Sequence, residues 1–245
     1  MPAVLVHGVP ETARLWDAVL ARLDRDDAVA LSLPGFDSPL PAGFTATMDD
    51  YAEWLIRELE AIGEPVDLVG HDWGGGFTLR AVSLRPDLVR TWVTDAAGLA
   101  DVSFEWHEFA KLWQTPGAGE EFWDQQLALP VAERAGALVA AGVPAEEAEP
   151  MAARIDRTMA DAILALYRSA TEVHTAWGPA FESIAKPGMV VIPSDDPFLN
   201  EPSARRAGER AGARIEKLDG LGHWWILQDP LLAAQTLETF WSDVA

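Results

Sequence analysis

The chain has 245 residues, of which 39 are acidic and 18 basic, giving a formal net charge of −21, and it contains no cysteine. Such a field repels phosphate backbones, so nucleic acid is not an expected partner. The lack of cysteine excludes disulfides, thiolate catalysis and Cys-based metal sites. No apolar run approaches the roughly 20 residues of a membrane span. The N-terminal Met1-Pro2-Ala3-Val4-Leu5-Val6-His7-Gly8 has neither the basic flank nor the long apolar region of a signal peptide, which leaves the cytoplasm as the expected setting and a monomer or small homo-oligomer as the expected state.

Short apolar runs alternate with amphipathic stretches, the pattern of a mostly parallel sheet flanked by helices. The first strand is predicted over 3–6 and ends at His7-Gly8. A helix over 13–23 follows, with Leu15, Trp16, Val19, Leu20 and Leu23 at helical spacing. The next strand, 29–33, is stopped by Pro34-Gly35. Thr47 is placed to cap a helix running to residue 62, with Tyr51, Trp54, Leu55 and Leu59 facing inward and Gly63 ending it. A third strand over 66–69 leads into Gly70-His71-Asp72-Trp73-Gly74-Gly75-Gly76 and a helix to about residue 84. Strands over 91–94, 188–192 and 214–218 and a closing helix over 230–241 complete the alternation. Residues 99–185 break it: their pattern is helical, interrupted at Pro116-Gly117, Pro130 and Gly142-Val143-Pro144. An insertion of that size between two sheet strands reads as a helical cap, on a core domain made of 1–98 and 186–245.

The segment around Asp72 carries the most chemistry. A strand that runs straight into a helix through a one-residue turn forces that residue into strained backbone geometry, and small residues are needed two positions to either side. Gly70 and Gly74 meet that need, so Asp72 is expected above the C-terminal end of the sheet, where ligands bind in such folds and where a helix N-terminus favours negative charge. His223, in Gly220-Leu221-Gly222-His223-Trp224, follows the last predicted strand. In Ser194-Asp195-Asp196-Pro197 either Asp195 or Asp196 is placed to orient His223, and spacing alone does not separate them.

His7-Gly8-Val9-Pro10, Gly70-His71-Asp72-Trp73-Gly74-Gly75, Asp196-Pro197-Phe198 and Gly222-His223-Trp224 together resemble the α/β-hydrolase superfamily, and Gly-His-Asp-Trp-Gly-Gly resembles its branch of epoxide hydrolases and haloalkane dehalogenases. The resemblance spans essentially the whole chain, most weakly in the cap. It implies an α/β-hydrolase fold and an Asp72–His223–Asp196 triad, because the family acid directly precedes a proline–aromatic pair. It also implies an oxyanion hole built from the backbone N–H groups of Trp73 and Val9. Family members carry a β-hairpin before the His-Gly strand; here that strand starts at residue 3, so about six strands are expected, with 29–33 at an edge.

A carboxylate nucleophile suits displacement at saturated carbon, since the product is an ester that water can cleave. The implied activity is a cofactor-independent hydrolase on a small hydrophobic molecule, epoxide hydrolase-like, with haloalkane dehalogenase as the alternative. A catalytically inactive ligand-binding member of the fold is the reading from a different class. An epoxide oxygen needs a proton donor, whereas a halide needs weak N–H donors. Tyr167, followed by Arg168 in a cap helix predicted over 162–173, resembles the cap tyrosine of epoxide hydrolases, and the helix would bring it onto one face with Ile163, Ala170 and His174. Epoxide hydrolases usually have two such tyrosines and this cap has one, so His107, His174, Trp106 or another cap tryptophan is a candidate for the second donor. Trp73 beside the nucleophile fits either leaving group, while Val9 stands where dehalogenases often place a halide-binding Asn. The 11 tryptophans suggest an apolar pocket under the cap. His71, His107 and Asp95 lack the spacing of a metal site, and neither metal nor cofactor is expected.

Overall fold

The computed structural model describes residues 1–244. Its centre is a six-stranded, wholly parallel sheet in the order β2-β1-β3-β4-β5-β6, with β1 at Ala3–Val6, β2 at Ala28–Leu31, β3 at Val66–Gly70, β4 at Val89–Thr94, β5 at Gly188–Pro193 and β6 at Arg214–Leu218. The inner strands β1, β3 and β5 are buried along their full length, as expected when helices cover both faces of a parallel sheet. Successive side chains feed two separate cores. Val4, Val6, Leu68, Trp92, Val190 and Ile192 enter one, and Ala3, Leu5, Val69, Val93, Met189 and Val191 enter the other.

The helix Met48–Ile62 starts at Thr47, whose hydroxyl accepts from the Asp50 N–H (3.2 Å) in a capping box, and ends at Gly63 with φ 81°. Together with Trp73–Leu84 it covers the first face, through Leu55, Leu59 and Phe77. The closing helix Pro230–Asp243, capped by Asp229, covers the second through Leu237 and Phe240. Among the described residues no helix is long and apolar enough to cross a membrane.

Several elements differ from their sequence expectation. The helix expected over 13–23 is a 3-10 turn, Ala13–Trp16, followed by one helical turn, Asp17–Leu20. Thr12 makes no side-chain cap bond there, and burial of Leu15, Trp16 and Val19 does not require a longer helix. Strand β2 stops at Leu31 because the Leu33 N–H leaves the ladder to donate to His7 Nε2 (3.1 Å). The helix expected over 162–173 is Arg157–Ser169, opened by the Asp156 carboxylate accepting from the Met159 N–H (2.8 Å); the chain leaves it at Ala170 and resumes as a separate helix, Val173–Trp177.

The register is what builds the site. Val6 pairs with Gly70, Gly70 with Thr94, and Pro193 with Leu218. The residues that follow these positions, His7-Gly8-Val9, His71-Asp72, Asp95, Asp196 and His223, therefore all emerge at the C-terminal edge of one parallel sheet. Between β4 and β5 the described residues form helices and no strand, running from the 3-10 turn Ala97–Ala100 to the 3-10 helix Gly178–Ser183. This segment supplies much of the wall above that edge.

The close approach of the Trp73–Leu84 helix to β1 depends on Gly74. A Cβ on Gly74 would lie 2.3 Å from the Val6 carbonyl oxygen, a backbone atom that cannot move aside. Gly74→Ala is expected to destabilise the fold by about 1–3 kcal/mol, lowering Tm by roughly 2–4 °C per kcal/mol in a domain of this size. Gly136→Ala, where an added Cβ meets nothing within 4 Å, serves as the control. Thermal unfolding should leave that control at or slightly above wild type, and equal melting of all three proteins would contradict the packing account.

Candidate active site

His71 and Asp72 link β3 to the helix Trp73–Leu84, and Asp72, the residue that precedes the helix, has φ 50° and ψ −122°. Few L residues adopt this conformation, and glycines make it possible by letting the backbone close around it. A Cβ on Gly70 would strike the Gly74 carbonyl at 2.2 Å, and a Cβ on Gly8 would strike the Asp72 side chain at 2.3 Å. The Asp72 N–H donates to Asp95 Oδ1 (2.9 Å), which fixes the turn from the side of β4.

One carboxylate oxygen, Asp72 Oδ1, accepts the Val9 N–H at 2.9 Å. The other, Oδ2, faces His223 Nε2 at 4.0 Å. The opposite ring nitrogen, His223 Nδ1, lies 2.9 Å from Asp196 Oδ2, and Asp196 Oδ1 in turn accepts the Phe198 N–H at 2.8 Å. Asp195 is exposed and accepts from the Ser194 hydroxyl (2.8 Å). Of the two aspartates, Asp196 is the one that touches the histidine. Trp73 opens its helix, so its N–H is among those that helical hydrogen bonding leaves free.

Beneath this arrangement lies a second set of charges, of which the sequence reading weighed His71 and Asp95 only as metal ligands and did not single out Glu11. His71 is fully buried between two carboxylates, with Nδ1 2.5 Å from Asp95 Oδ2 and Nε2 3.2 Å from Glu11 Oε1. Glu11 also accepts the Trp224 indole N–H (2.7 Å) and the Gly8 N–H (3.1 Å), and Asp95 accepts the Trp225 indole N–H (2.7 Å). Burial works against the charged form of all three, yet their mutual attraction prevails: the His71 pKa is held well above 6.5, and those of Glu11 and Asp95 below the usual carboxylate values. The His71 and His223 rings are 4.7 Å apart. Glu11, His71 and His223 each bring a potential ligand atom within 4.8 Å of the others, but a His71 protonated on both nitrogens offers no lone pair to a metal. Glu11 directly follows the His-Gly-Val-Pro motif, five residues beyond the end of β1.

The site's own titrations follow from this setting. Burial pushes the Asp72 carboxyl up to about 6, against the pull of His223. For His223, burial favours the neutral ring, but the hydrogen bond and charge of Asp196 outweigh it and raise the pKa above 6.5.

Two cavities meet at Asp72, and both are lined by Asp72, His107, Tyr167, Phe198 and His223. The smaller, about 90 Å³, runs past Trp73, Trp106 and Asn200; the larger, about 280 Å³, runs under the helices between residues 108 and 155. Tyr167 is buried, with its ring edge-on to Trp73 at 5.6 Å and to Trp113 at 4.9 Å. Burial raises its pKa well above 10, so the phenol keeps its proton. His107 caps the helix Glu108–Gln114, its Nδ1 accepting the Ala110 N–H (3.3 Å). Its pKa is lowered to about 4, first by burial and then by the charge of His223. A neutral ring whose Nδ1 accepts carries its proton on Nε2.

The remaining sequence candidates fare differently. Trp106 lines the smaller cavity and stacks on Trp73 at 5.7 Å, but its indole N–H is already donated to the Ala170 carbonyl (3.1 Å), so it offers a face and no free donor. His174 lies in neither cavity wall. The helix break at Ala170 removes it from the face that carries Tyr167, and it packs near Phe104 instead. Tyr51 is a packing residue, as expected, its hydroxyl donating to the Pro34 carbonyl at 2.8 Å.

NMR titration of the histidine rings tests the acid assignment without any substrate. Asp196→Asn should lower the His223 pKa relative to wild type, whereas Asp195→Asn should leave it in place. The reverse pattern would assign the acid to Asp195.

Comparison with known proteins gives the wider context. The sequence profile of the alpha/beta hydrolase family matches residues 3–236. Among curated proteins, the chain is 36% identical over 77 residues to the probable oxidoreductase EphD of Mycobacterium tuberculosis and of Mycobacterium bovis. That match takes in 29% of this chain and 13% of the relative's length. Among solved structures, haloalkane dehalogenase DbeA of Bradyrhizobium elkanii, in a loop variant, is similar at TM-score 0.74 and 16% identity, over 100% of this chain and 91% of that one. A thermophilic esterase of Thermogutta terrifontis is similar at TM-score 0.79 and 17% identity, over 100% and 90%. At these identities the likeness is one of fold.

Proposed function

Because the chain belongs to the alpha/beta hydrolase family, we propose that it is a cofactor-independent hydrolase in which Asp72 is the nucleophile, His223 the base and Asp196 the group that orients the base. Its proposed substrate is a small, largely apolar epoxide. The observation that carries the reading is the disposition of the Asp72 carboxylate, with Oδ1 anchored by the Val9 N–H and Oδ2 turned toward a histidine whose far nitrogen is held by Asp196.

In the first step Asp72 Oδ2 attacks an epoxide carbon. The carbon–oxygen bond of the ring breaks, and the departing oxygen takes a proton from Tyr167 while His107 Nε2–H donates a hydrogen bond to it; both side chains line the junction of the cavities. The product is a hydroxyalkyl ester of Asp72. In the second step His223 Nε2 removes a proton from a water that attacks the Asp72 carbonyl carbon. The Val9 and Trp73 N–H groups stabilise the oxyanion, each worth about 3 kcal/mol. Collapse of this intermediate releases the diol, whose departing oxygen takes the proton held by His223, and the second proton of the water returns to Tyr167, which restores both the Asp72 carboxylate and the phenol. The helices between β4 and β5 act as a cap that keeps bulk water from the ester.

An epoxide is favoured over a halide because the donors at the junction are a protonated phenol, which can hand a proton to an alkoxide, and a neutral imidazole, which can hydrogen-bond to it. The Trp106 indole, which would have suited a halide, is tied to Ala170. A binding protein would have no need of a base held 4.0 Å from the carboxylate.

The test is to incubate a His223→Gln variant separately with styrene oxide and with a bromoalkane, then record intact mass and map the modified peptide. An adduct of epoxide mass on Asp72 is expected, because alkylation proceeds while ester hydrolysis stalls. An alkyl adduct with bromide release and none from the epoxide would establish the dehalogenase alternative, and modification elsewhere would remove Asp72 from its role. In the wild-type enzyme, kcat/KM for the epoxide should rise with pH through about 6 as Asp72 ionises, and Tyr167→Phe should lower it by about 10²-fold. A profile flat from pH 5 to 7 would contradict the nucleophile assignment.

A further inference from the structure

The two cavities that meet at Asp72 are unequal in size and in lining. The larger, about 280 Å³, is walled in part by Val9, Trp113, Trp123, Ile155 and Trp224, all of them buried. The smaller, about 90 Å³, has about a third of that volume, and two of its wall residues, Glu105 and Asn200, are exposed and polar. An apolar group gains by leaving water for the first cavity. In the second, a group too large for the space is pushed out against a charged, hydrated rim.

The wall of the smaller cavity is also held in place. The Trp106 ring stacks on Trp73 at 5.7 Å and meets Phe104 and Tyr167 edge-on at 4.8 and 5.3 Å. Its indole N–H is donated to the Ala170 carbonyl at 3.1 Å. Swinging the ring aside to admit a bulky group gives up all four contacts at once, and close-packed interiors do not yield in that way without cost. Leu99, buried on the same cavity wall, packs over Gly76 of the helix Trp73–Leu84. There an added Cβ would lie 2.9 Å from Leu99 Cδ2, so the leucine has little room to retreat toward the helix.

We infer that the substrate carries its bulk on one side of the reacting ring. It is an epoxide with a single apolar substituent of aryl size, which fills the larger cavity, while the other ring carbon bears hydrogen or a group of about methyl size in the smaller. Trp106 and Leu99 set that limit and are the specificity-determining residues. Asp72 and Tyr167 line both cavities, so the ring itself lies at their junction. This names the substrate class of the reaction proposed above and rests on that reading for the chemistry. The inequality of the two arms stands on the cavity walls alone.

The test is the binding of diols, which need no nucleophile, so its outcome is separate from that of the adduct experiment on Asp72. Calorimetric titration of the whole protein should show the diol of styrene oxide binding about tenfold more tightly, or better, than the diol of stilbene oxide, whose second ring has no place to be buried. Leu99→Ala should raise affinity for the stilbene diol about tenfold and leave that for the styrene diol in place. Trp106→Leu should act in the same direction, and it serves if Leu99→Ala fails to fold. Ala141→Phe adds a ring to the wall of the larger cavity and should weaken the styrene diol about tenfold. The proposal is overturned if wild type binds the two diols equally or binds neither. It is also overturned if both enlarging variants leave the stilbene diol as weak as in wild type, or if Ala141→Phe leaves the styrene diol unaffected.

Discussion

Asp72 sits at a positive φ that costs an L residue on the order of 1–3 kcal/mol, and the surrounding structure is arranged so that it has no alternative. Strand β3 ends at Gly70, the next helix begins at Trp73, and the backbone between them is pinned by the Asp95 carboxylate and closed in by Gly8, Gly70 and Gly74. The consequence is a carboxylate lifted clear of the sheet. One of its oxygens lies on the Val9 N–H and the other faces His223. The parallel register of β1, β3, β4, β5 and β6 then delivers the remaining groups to the same edge without any of them travelling far in space.

That concentration of charge has to be made tolerable. Asp72, Glu11, Asp95 and Asp196 crowd one edge of the sheet, and like charges in a buried setting raise one another's pKa. His71, protonated between Glu11 and Asp95, sets one positive charge between two of the four, and the Trp224 and Trp225 indoles solvate the same two carboxylates. Burial and Glu11 still push Asp72 up to about 6, low enough to leave it ionised near neutral pH. Removing the charge on His71 would leave two buried carboxylates poorly compensated, an arrangement far more costly than breaking a surface ion pair.

Much of this was legible in the sequence because it rests on backbone requirements that only certain residues meet. Gly70 and Gly74 flanking Asp72 announced the turn, and the alternation of apolar runs with amphipathic stretches gave the six strands. The limits at Leu31 and Ala170 were not legible, since both are set by contacts distant in sequence or by a local break. His7 captures the Leu33 N–H, and the turn at Ala170 takes His174 off the face that carries Tyr167. Glu11 was invisible for a related reason: its partners His71 and Trp224 lie 60 and 213 residues away. The choice between Asp195 and Asp196 needed the fold, because adjacent residues in a loop differ only in where they point.

The central claim, that a covalent ester forms on Asp72, is tested most directly by a single turnover of an epoxide in water enriched in oxygen-18, with enzyme in excess. The account predicts an unlabelled diol in that first turnover, since the new oxygen comes from the Asp72 carboxylate, and a heavy oxygen left in the Asp72-containing peptide. A labelled diol with an unlabelled Asp72 would show direct attack by water and would contradict it.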